Sequence, residues 1–391
     1  MAGRLPEALD ERLVAAAAGR PVSRVPAVQV PSAPVRLYVA PANFAGQGFA
    51  WARAVEDHLP GVAARNMAPL GGGRFSYPAD YSVPEYVAAG SRRWQRAQRA
   101  AVEQFTHVLV EAELPLFPRL GDGSVLSEVR ALRRSGVHVA TICHGSDIRP
   151  PSVHAASSPW SPFLDPKFGD ETAKLEQATS RNLRLLETLR DEGTFAFVST
   201  PALLEYVPWA SWCPVVVDVE RWRTEEEPLR RPVPVVVHAP SKGVIKGTAL
   251  IEPVLWRLHE EKIIEYRQAK GLDHDQMVDL YRSADVVLDS FRTGNYGVAT
   301  CEALAAGRVV VARLDDGVRS AARRARGMEI PVVEADPSTL RSVLEDILRD
   351  RDRFRTLAAQ GPEFVRDLHD GAASARALAS FLGVPETGRS T

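Results

Sequence analysis

Cysteine is scarce in this chain. Cys143, Cys213 and Cys301 are far apart in the 391 residues, and none forms a CxxC pair. Each lies in or beside an apolar run. The pattern argues against a disulfide framework or a thiolate zinc site, and for reduced, buried thiols in a cytoplasmic protein. Long apolar runs are missing too. No stretch approaches the ~20 residues that span a bilayer. The alanine run at 15–18 is too short for a signal segment, and Glu7, Asp10 and Glu11 precede it. The chain is expected to be neither secreted nor integral, with peripheral contact with a membrane left open. No charge of one sign dominates: 48 Lys and Arg face 49 Asp and Glu, a net charge of -1. There is no global field to favour nucleic acid. There is also no G-x-S-x-G elbow, so Ser/His/Asp hydrolysis has no support.

What is present is an alternation of apolar strand-like runs with helical ones. VRLYVA (35–40), HVLVEA (107–112), VHVATICH (137–144), FAFVST (195–200) and WCPVVVD (212–218) read as strands. Helical stretches separate them, among them 124–136 and 170–192. Residues 21–35 carry four prolines and read as an extended strap after a short helix at 5–19. TEEEPLRRP (224–232) reads as a linker. A second series follows, with strands at 232–240, 262–268, 285–291 and 330–336. Helices alternate with them and then fill 337–360 and 362–382. Repeated βα units predict an α/β protein with mostly parallel sheets. The chain divides into an extension (1–34), an N-terminal domain (35–214) and a C-terminal domain (215–391). Their shared cleft is the default ligand site.

The densest signal runs from Asp285 to Leu314: strand, glycine-bearing turn, short helix of small residues, glycine stop, strand. That order presents a helix N-terminus to a phosphate-bearing ligand. Asn295, Tyr296, Gly297 and Val298 form the approach, with backbone N–H groups from 296–298 aimed at phosphate oxygens. Glu302 is the one acid in VATCEALAA (298–306), where an ionised carboxylate needs a partner. It reads either as a ribose-binding carboxylate or as a glutamate satisfied by a neighbour. In HAPSKGVIKGTAL (238–250), Thr248 is a good N-cap, and Lys246 just before it faces the positive end of a helix. An anion between the two makes that arrangement favourable, so Lys246, with Lys242, is a phosphate-clamp candidate. The alternative is a solvated loop lysine.

These segments resemble the C-terminal domain of GT-B glycosyltransferases of the family-4 type. VVVDVERW (215–222), with Trp222 in the aromatic place, resembles the family's hinge signature. HAPSKGVIKGT, HDQMVDLYRSADVVLDS and GNYGVATCEALAAGRVVVA resemble its donor-site motifs. The resemblance covers about 212–320 well and the N-terminal half more weakly. It implies two tandem Rossmann-like domains facing a cleft, with the C-terminal helix packing back on the N-terminal domain. It also implies a metal-independent glycosyltransferase using a nucleoside diphosphate sugar as donor, with no cofactor, transferring to a small-molecule, glycan or glycoconjugate acceptor with retention. The family's Glu-x7-Glu pattern is incomplete here. Its second acid matches Glu302, but its first falls on Gly294. The family's first glutamate faces the donor sugar, so Gly294 leaves the nucleotide end intact and weakens the sugar end. A non-catalytic nucleotide-sugar-binding partner subunit and, less well supported, a nucleotide-sugar epimerase are the alternatives.

In the N-terminal domain, NFAGQG (43–48) joins a strand to a helix. Gly46, Gln47 and Gly48 allow close backbone approach, and in the resembling enzymes this loop reaches the donor phosphates. CHGSDIR (143–149) ends a buried strand. His144 reads as a structural histidine or as a hydrogen-bond partner of a sugar hydroxyl or the leaving phosphate. Asp147 reads as an acceptor-orienting acid or as a turn cap. Asp273-His274-Asp275 and Asp350-Arg351-Asp352 fit a DxD metal pattern, but the first lies where a helix begins and reads as a cap, and the second lies in a charged helix-to-helix stretch, so no metal ligand is assigned. SRRWQRAQR (91–99) reads as the solvated face of a helix.

Overall fold

The computed structural model describes residues 7–19, 25–71, 77–269 and 271–385. Seven strands form a first sheet: β1 (Val35–Ala40), β2 (Val62–Leu70), β3 (Tyr81–Pro84), β4 (His107–Glu111), β5 (His138–Cys143), β6 (Phe195–Val198) and β7 (Ser211–Trp212). Their order is β3-β2-β1-β4-β5-β6-β7, and every pair is parallel. A second parallel sheet holds β8 (Val235–His238), β9 (Glu265–Gln268), β10 (Val286–Leu288), β11 (Val309–Ala312) and β12 (Val332–Glu334), in the order β12-β11-β10-β8-β9.

The central strands are mostly apolar because both faces are covered. Along β1, Leu37 and Val39 enter one core while Tyr38 and Ala40 enter the other. Along β8 and β11, Val235, Val237, Val310 and Ala312 take one side, and Val236, Val309 and Val311 the opposite side. Strand order reverses between β1 and β4 in the first sheet and between β8 and β10 in the second. At such switch points the strand ends leave a crevice for ligands.

The segment 212–218, read as a strand, contributes only Trp212 to the two-residue β7 before the chain leaves the sheet. Pro214 has no N–H to offer a ladder, and the neighbouring backbone groups are taken by side chains of both halves. Gln47 donates to Val216 O at 3.1 Å and accepts from Val216 N at 2.7 Å. Trp51 Nε1 and Ser374 Oγ both donate to Pro214 O. His369 Nδ1 lies 2.8 Å from Val215 O, and its own carbonyl accepts from Val217 N. The crossing between domains is therefore strapped on both sides. Leu378, Phe381 and Leu382 of the helix Ala372–Leu382 share a core with Leu37, Trp51 and Phe197.

The segment 224–232 is anchored to the C-terminal domain and is not a free linker. Buried Asp285 accepts from Leu229 N at 2.6 Å, from Val235 N at 2.7 Å and from Arg231 at 3.1 Å. Nor does the strap end outside the domain: Val28 is buried, and its N–H donates to Gln98. The C-terminal helical stretch divides into Leu340–Arg349, Arg351–Ala359, Gly361–His369 and Ala372–Leu382.

Candidate functional site

The loop after β8 is shaped by a buried histidine. His238 sits between Leu288 O, 3.0 Å from Nδ1, and Thr248 Oγ1, 2.9 Å from Nε2. The carbonyl can only accept, so Nδ1 carries the proton and Nε2 accepts from the threonine hydroxyl. Burial lowers the imidazole to about 4 and keeps it neutral. Thr248 is thus spent on His238. It is the first residue of the helix Thr248–Glu260 rather than its cap, which is Gly247 in the left-handed region. Thr248 and His238 lock β8, β10 and the helix start together. The turn Gly243–Lys246 ends on the clamp candidate.

Lys246 bonds through Nζ to Asp289, at the end of β10. The other oxygen of Asp289 accepts from Thr300 Oγ1 at 2.5 Å. A carboxylate at the switch point therefore fixes the lysine beside the first turn of the helix Val298–Ala305. Gly297 caps that helix without a side chain. Tyr296 is buried, with its hydroxyl 3.1 Å from His369 Nε2, so this residue presents backbone rather than ring to the cleft. Glu302 lies one turn in. Desolvation, then repulsion by Asp289, raises its carboxyl to about 8, against the pull of Arg221 and Lys246. Lys242 is exposed and is not brought into this group.

Two adjoining cavities meet here. One of about 260 Å³ is bounded by Pro240, Ser241, Lys246, Leu272, Met277 and Glu302. The other, of about 570 Å³, lies on the hinge side between Gly46, Arg53, Asp218, Trp222, Arg366 and Glu302. Ala45, Tyr77, His274, Val298 and Glu302 line both. Tyr77 is the N-terminal domain's reach across the cleft: its ring meets His274 edge-on at 5.9 Å. Nothing in the sequence pattern marked it.

On the N-terminal side, Gly46 is left-handed and faces the cleft, and a Cβ there would press on Tyr77 at 3.2 Å. Gln47 serves the hinge strap. Gly48 is small because a Cβ would meet Asn66 Nδ2 at 2.6 Å inside the domain. Buried Glu111 holds this loop by accepting from Ala42 N and Asn43 N. His144 packs on Phe44 and Trp51, with Nε2 3.4 Å from Glu111 Oε1. The Asp147 carboxylate accepts from the backbone N–H groups of His144, at 2.7 Å, and Gly145. Neither His144 nor Asp147 lines the two cavities. Cys143 donates to Glu113 Oε1 at 3.2 Å, and ligand atoms of Glu113, Cys143 and Asp147 lie within 4.8 Å of one another. Burial raises both Glu113 and Cys143, so the pair is protonated and hydrogen-bonded. Asp273 forms a capping box with Gln276, and Asp350 caps its helix through Arg353 N.

Asn295 is half-buried on the approach to the helix. Position 294, before it, is closed to any side chain. Gly294 has φ of 63°, and a Cβ there would overlap Asp315 Oδ2. Asp289 and Asp315 were both missed by sequence reasoning. Each is an aspartate just past a strand end, the one signal that marks them.

Two parallel α/β domains whose strand ends face one cleft make up the GT-B architecture, and this chain has it. Residues 229–380 match the family described as glycosyl transferase-like. Among solved structures, a sucrose-phosphate synthase from Thermosynechococcus elongatus aligns with a TM-score of 0.55 at 13% identity, over 88% of this chain and 98% of that one. HepE of Anabaena, in complex with UDP and glucose, aligns with a TM-score of 0.55 at 12% identity, over 89% and 99%. A glycosyltransferase from Rickettsia africae gives 0.54 at 12%, over 89% and 97%. At these identities the likeness is one of fold. No curated protein sequence matches the chain.

Proposed function

We propose that the chain is a glycosyltransferase that moves a sugar from a nucleoside diphosphate sugar to an acceptor held mainly by the N-terminal domain. One observation carries the reading: Lys246, the N-terminus of the helix Val298–Ala305 and Glu302 converge on one cavity at the β8/β10 switch point. The lysine and the helix end meet the diphosphate, whose negative charge grows as the sugar departs. Asp289 holds the lysine in place for that role. Glu302 accepts the ribose hydroxyls. Gly46 lets the facing loop approach; His144 and Asp147 line neither cavity and are given no step in this reading. The positive charge comes from the chain itself, so no cofactor is assigned. Retention follows if the resembling family's chemistry carries over. HepE is described with UDP and with UDP-glucose, which makes UDP the first nucleotide to test.

Gly294 favours a second reading, a nucleotide-sugar-binding partner subunit without transfer activity. Incubating the protein with UDP-sugars and an acceptor panel, and following released UDP and sugar, separates the two. Acceptor-dependent UDP release supports transfer. Tight binding without release across the panel favours the partner subunit, and isomerised donor without acceptor marks an epimerase. Absence of any nucleoside diphosphate binding overturns all three.

A further inference from the structure

Gly294 lies three residues before Gly297, the cap of the helix Val298–Ala305. With the diphosphate on that N-terminus and the nucleoside in the Lys246–Glu302 chamber, the adjoining loop that carries Gly294 is the surface assigned to the sugar. The space a side chain of residue 294 would take is filled by a carboxylate from the neighbouring strand end. Asp315 follows β11, and its N–H donates to Gly294 O at 2.8 Å, which staples the two loops. Arg313 holds Asp315 Oδ1 at 2.5 Å. Oδ2 is the oxygen turned toward Gly294. The Asp315 side chain remains 49% exposed.

Across the cleft the N-terminal domain answers with Arg149 and Tyr206, which share a side-chain hydrogen bond and lie within the field of Asp315. Arg149 is 8% exposed, and its Nε has no hydrogen-bond partner among the described residues. His154 is buried nearby, with its Nδ1 2.8 Å from Ser161 Oγ. Burial between the domains raises the Asp315 carboxyl, and Arg313 opposes that. A carboxylate and a guanidinium with an unspent N–H thus lie near one another across the domain boundary beside Gly294.

We propose that Asp315 is a sugar-recognising residue, supplying from the β11 end the carboxylate that position 294 cannot carry. The inference rests on the donor-site reading above. Glycine at 294 is then a requirement of the site: only a residue without Cβ leaves room for this carboxylate at a left-handed φ. The ligand class is the hydroxyl-bearing hexosyl group of a nucleoside diphosphate sugar, with two of its hydroxyls within reach of one carboxylate.

The test compares UDP with UDP-glucose, UDP-galactose and UDP-N-acetylglucosamine by titration calorimetry on the full chain and on Asp315→Ala, Asp315→Asn and Gly294→Ala. UDP affinity should stay within about twofold in the Asp315 variants, which also controls for folding. The sugar nucleotide that the wild type binds most tightly should lose roughly tenfold or more in Asp315→Ala, the size of a lost hydrogen bond to a charged group. Gly294→Ala should lose the same increment, but add no further sugar-specific loss in the Asp315→Ala background. Equal loss for UDP and its sugars, or no loss for either, overturns the proposal while the donor-site reading stands. A wild-type protein that binds no UDP overturns both.

Discussion

The Lys246 ammonium rests on the Asp289 carboxylate, and Thr300 bonds the other oxygen of that carboxylate at 2.5 Å. One aspartate thus joins the loop after β8 to the helix that follows β10. The lysine is partly exposed and its partner buried.

Removing the lysine alone should hurt twice. Lys246→Met takes away the cation for the diphosphate and leaves Asp289 buried with one charged partner fewer. An unmatched buried acceptor costs about 1–3 kcal/mol. The double variant Lys246→Met/Asp289→Asn should recover part of the urea-unfolding stability but none of the UDP affinity. A double variant as unstable as the single would show that Asp289 is not held by Lys246.

Binding should be linked to protons through Glu302. Its carboxyl is raised to about 8 by desolvation and by Asp289. At pH 7 the free protein therefore carries it mostly protonated, whereas two ribose hydroxyls need the ionised form as acceptor. Nucleotide binding then releases a proton below pH 8, and UDP affinity rises from pH 6 to 8 and levels off above. The steepest slope this one group allows is tenfold per pH unit. Calorimetry in buffers of different ionisation heat measures the release, and Glu302→Gln should abolish this component.

Stability should depend only weakly on pH between 4.5 and 6.5. Desolvation lowers His107, His154, His238, His274 and His369, so the unfolded chain binds protons there that the fold refuses. These histidines stabilise at neutral pH and lose that contribution as pH falls. Glu113, Glu128, Glu302 and Asp315 are raised, so the fold keeps protons that the unfolded chain releases. Their contribution has the opposite sign, present at low pH and lost as pH rises. The two sets oppose each other across this range, so their linkage to protons largely cancels. Urea midpoints at pH 4.8, 5.5 and 6.2 check this, and a slope of several protons would contradict it.

The hinge strap has its own test. Gln47→Ala leaves both the N–H and the carbonyl of Val216 without their side-chain partner, at a cost of about 1–3 kcal/mol. Trp51→Phe should cost less at the hydrogen bond, because Ser374 still serves Pro214 O. Urea denaturation of the two variants gives the ranking. The reverse order would place the strap's weight on Trp51 packing.

The interior strands were legible because valine runs bounded by turns have few other uses. β2 and β3 were not. VAARNMAPL puts Arg65, Asn66 and Pro69 in a strand, and only the covering of its neighbours makes that tolerable. The valines at 215–217 misled in the other direction, since their backbone partners are Gln47 and His369, distant in sequence. Lys246 and Glu302 were legible because a cation before a helix and an acid in an apolar helix each ask for a ligand. Asp289 and Asp285 look alike in sequence. One holds Lys246 and the other pins the 224–232 segment, and only tertiary geometry separates them. Tyr77 enters from a distant loop that no local pattern connects to Glu302.

The most direct measurement is calorimetric titration of UDP into the wild type, Lys246→Met and Glu302→Ala at pH 8. The account predicts a single site per chain, weakened at least about tenfold by each substitution. UDP affinity unchanged in both variants would contradict the placement of the donor between Lys246 and Glu302.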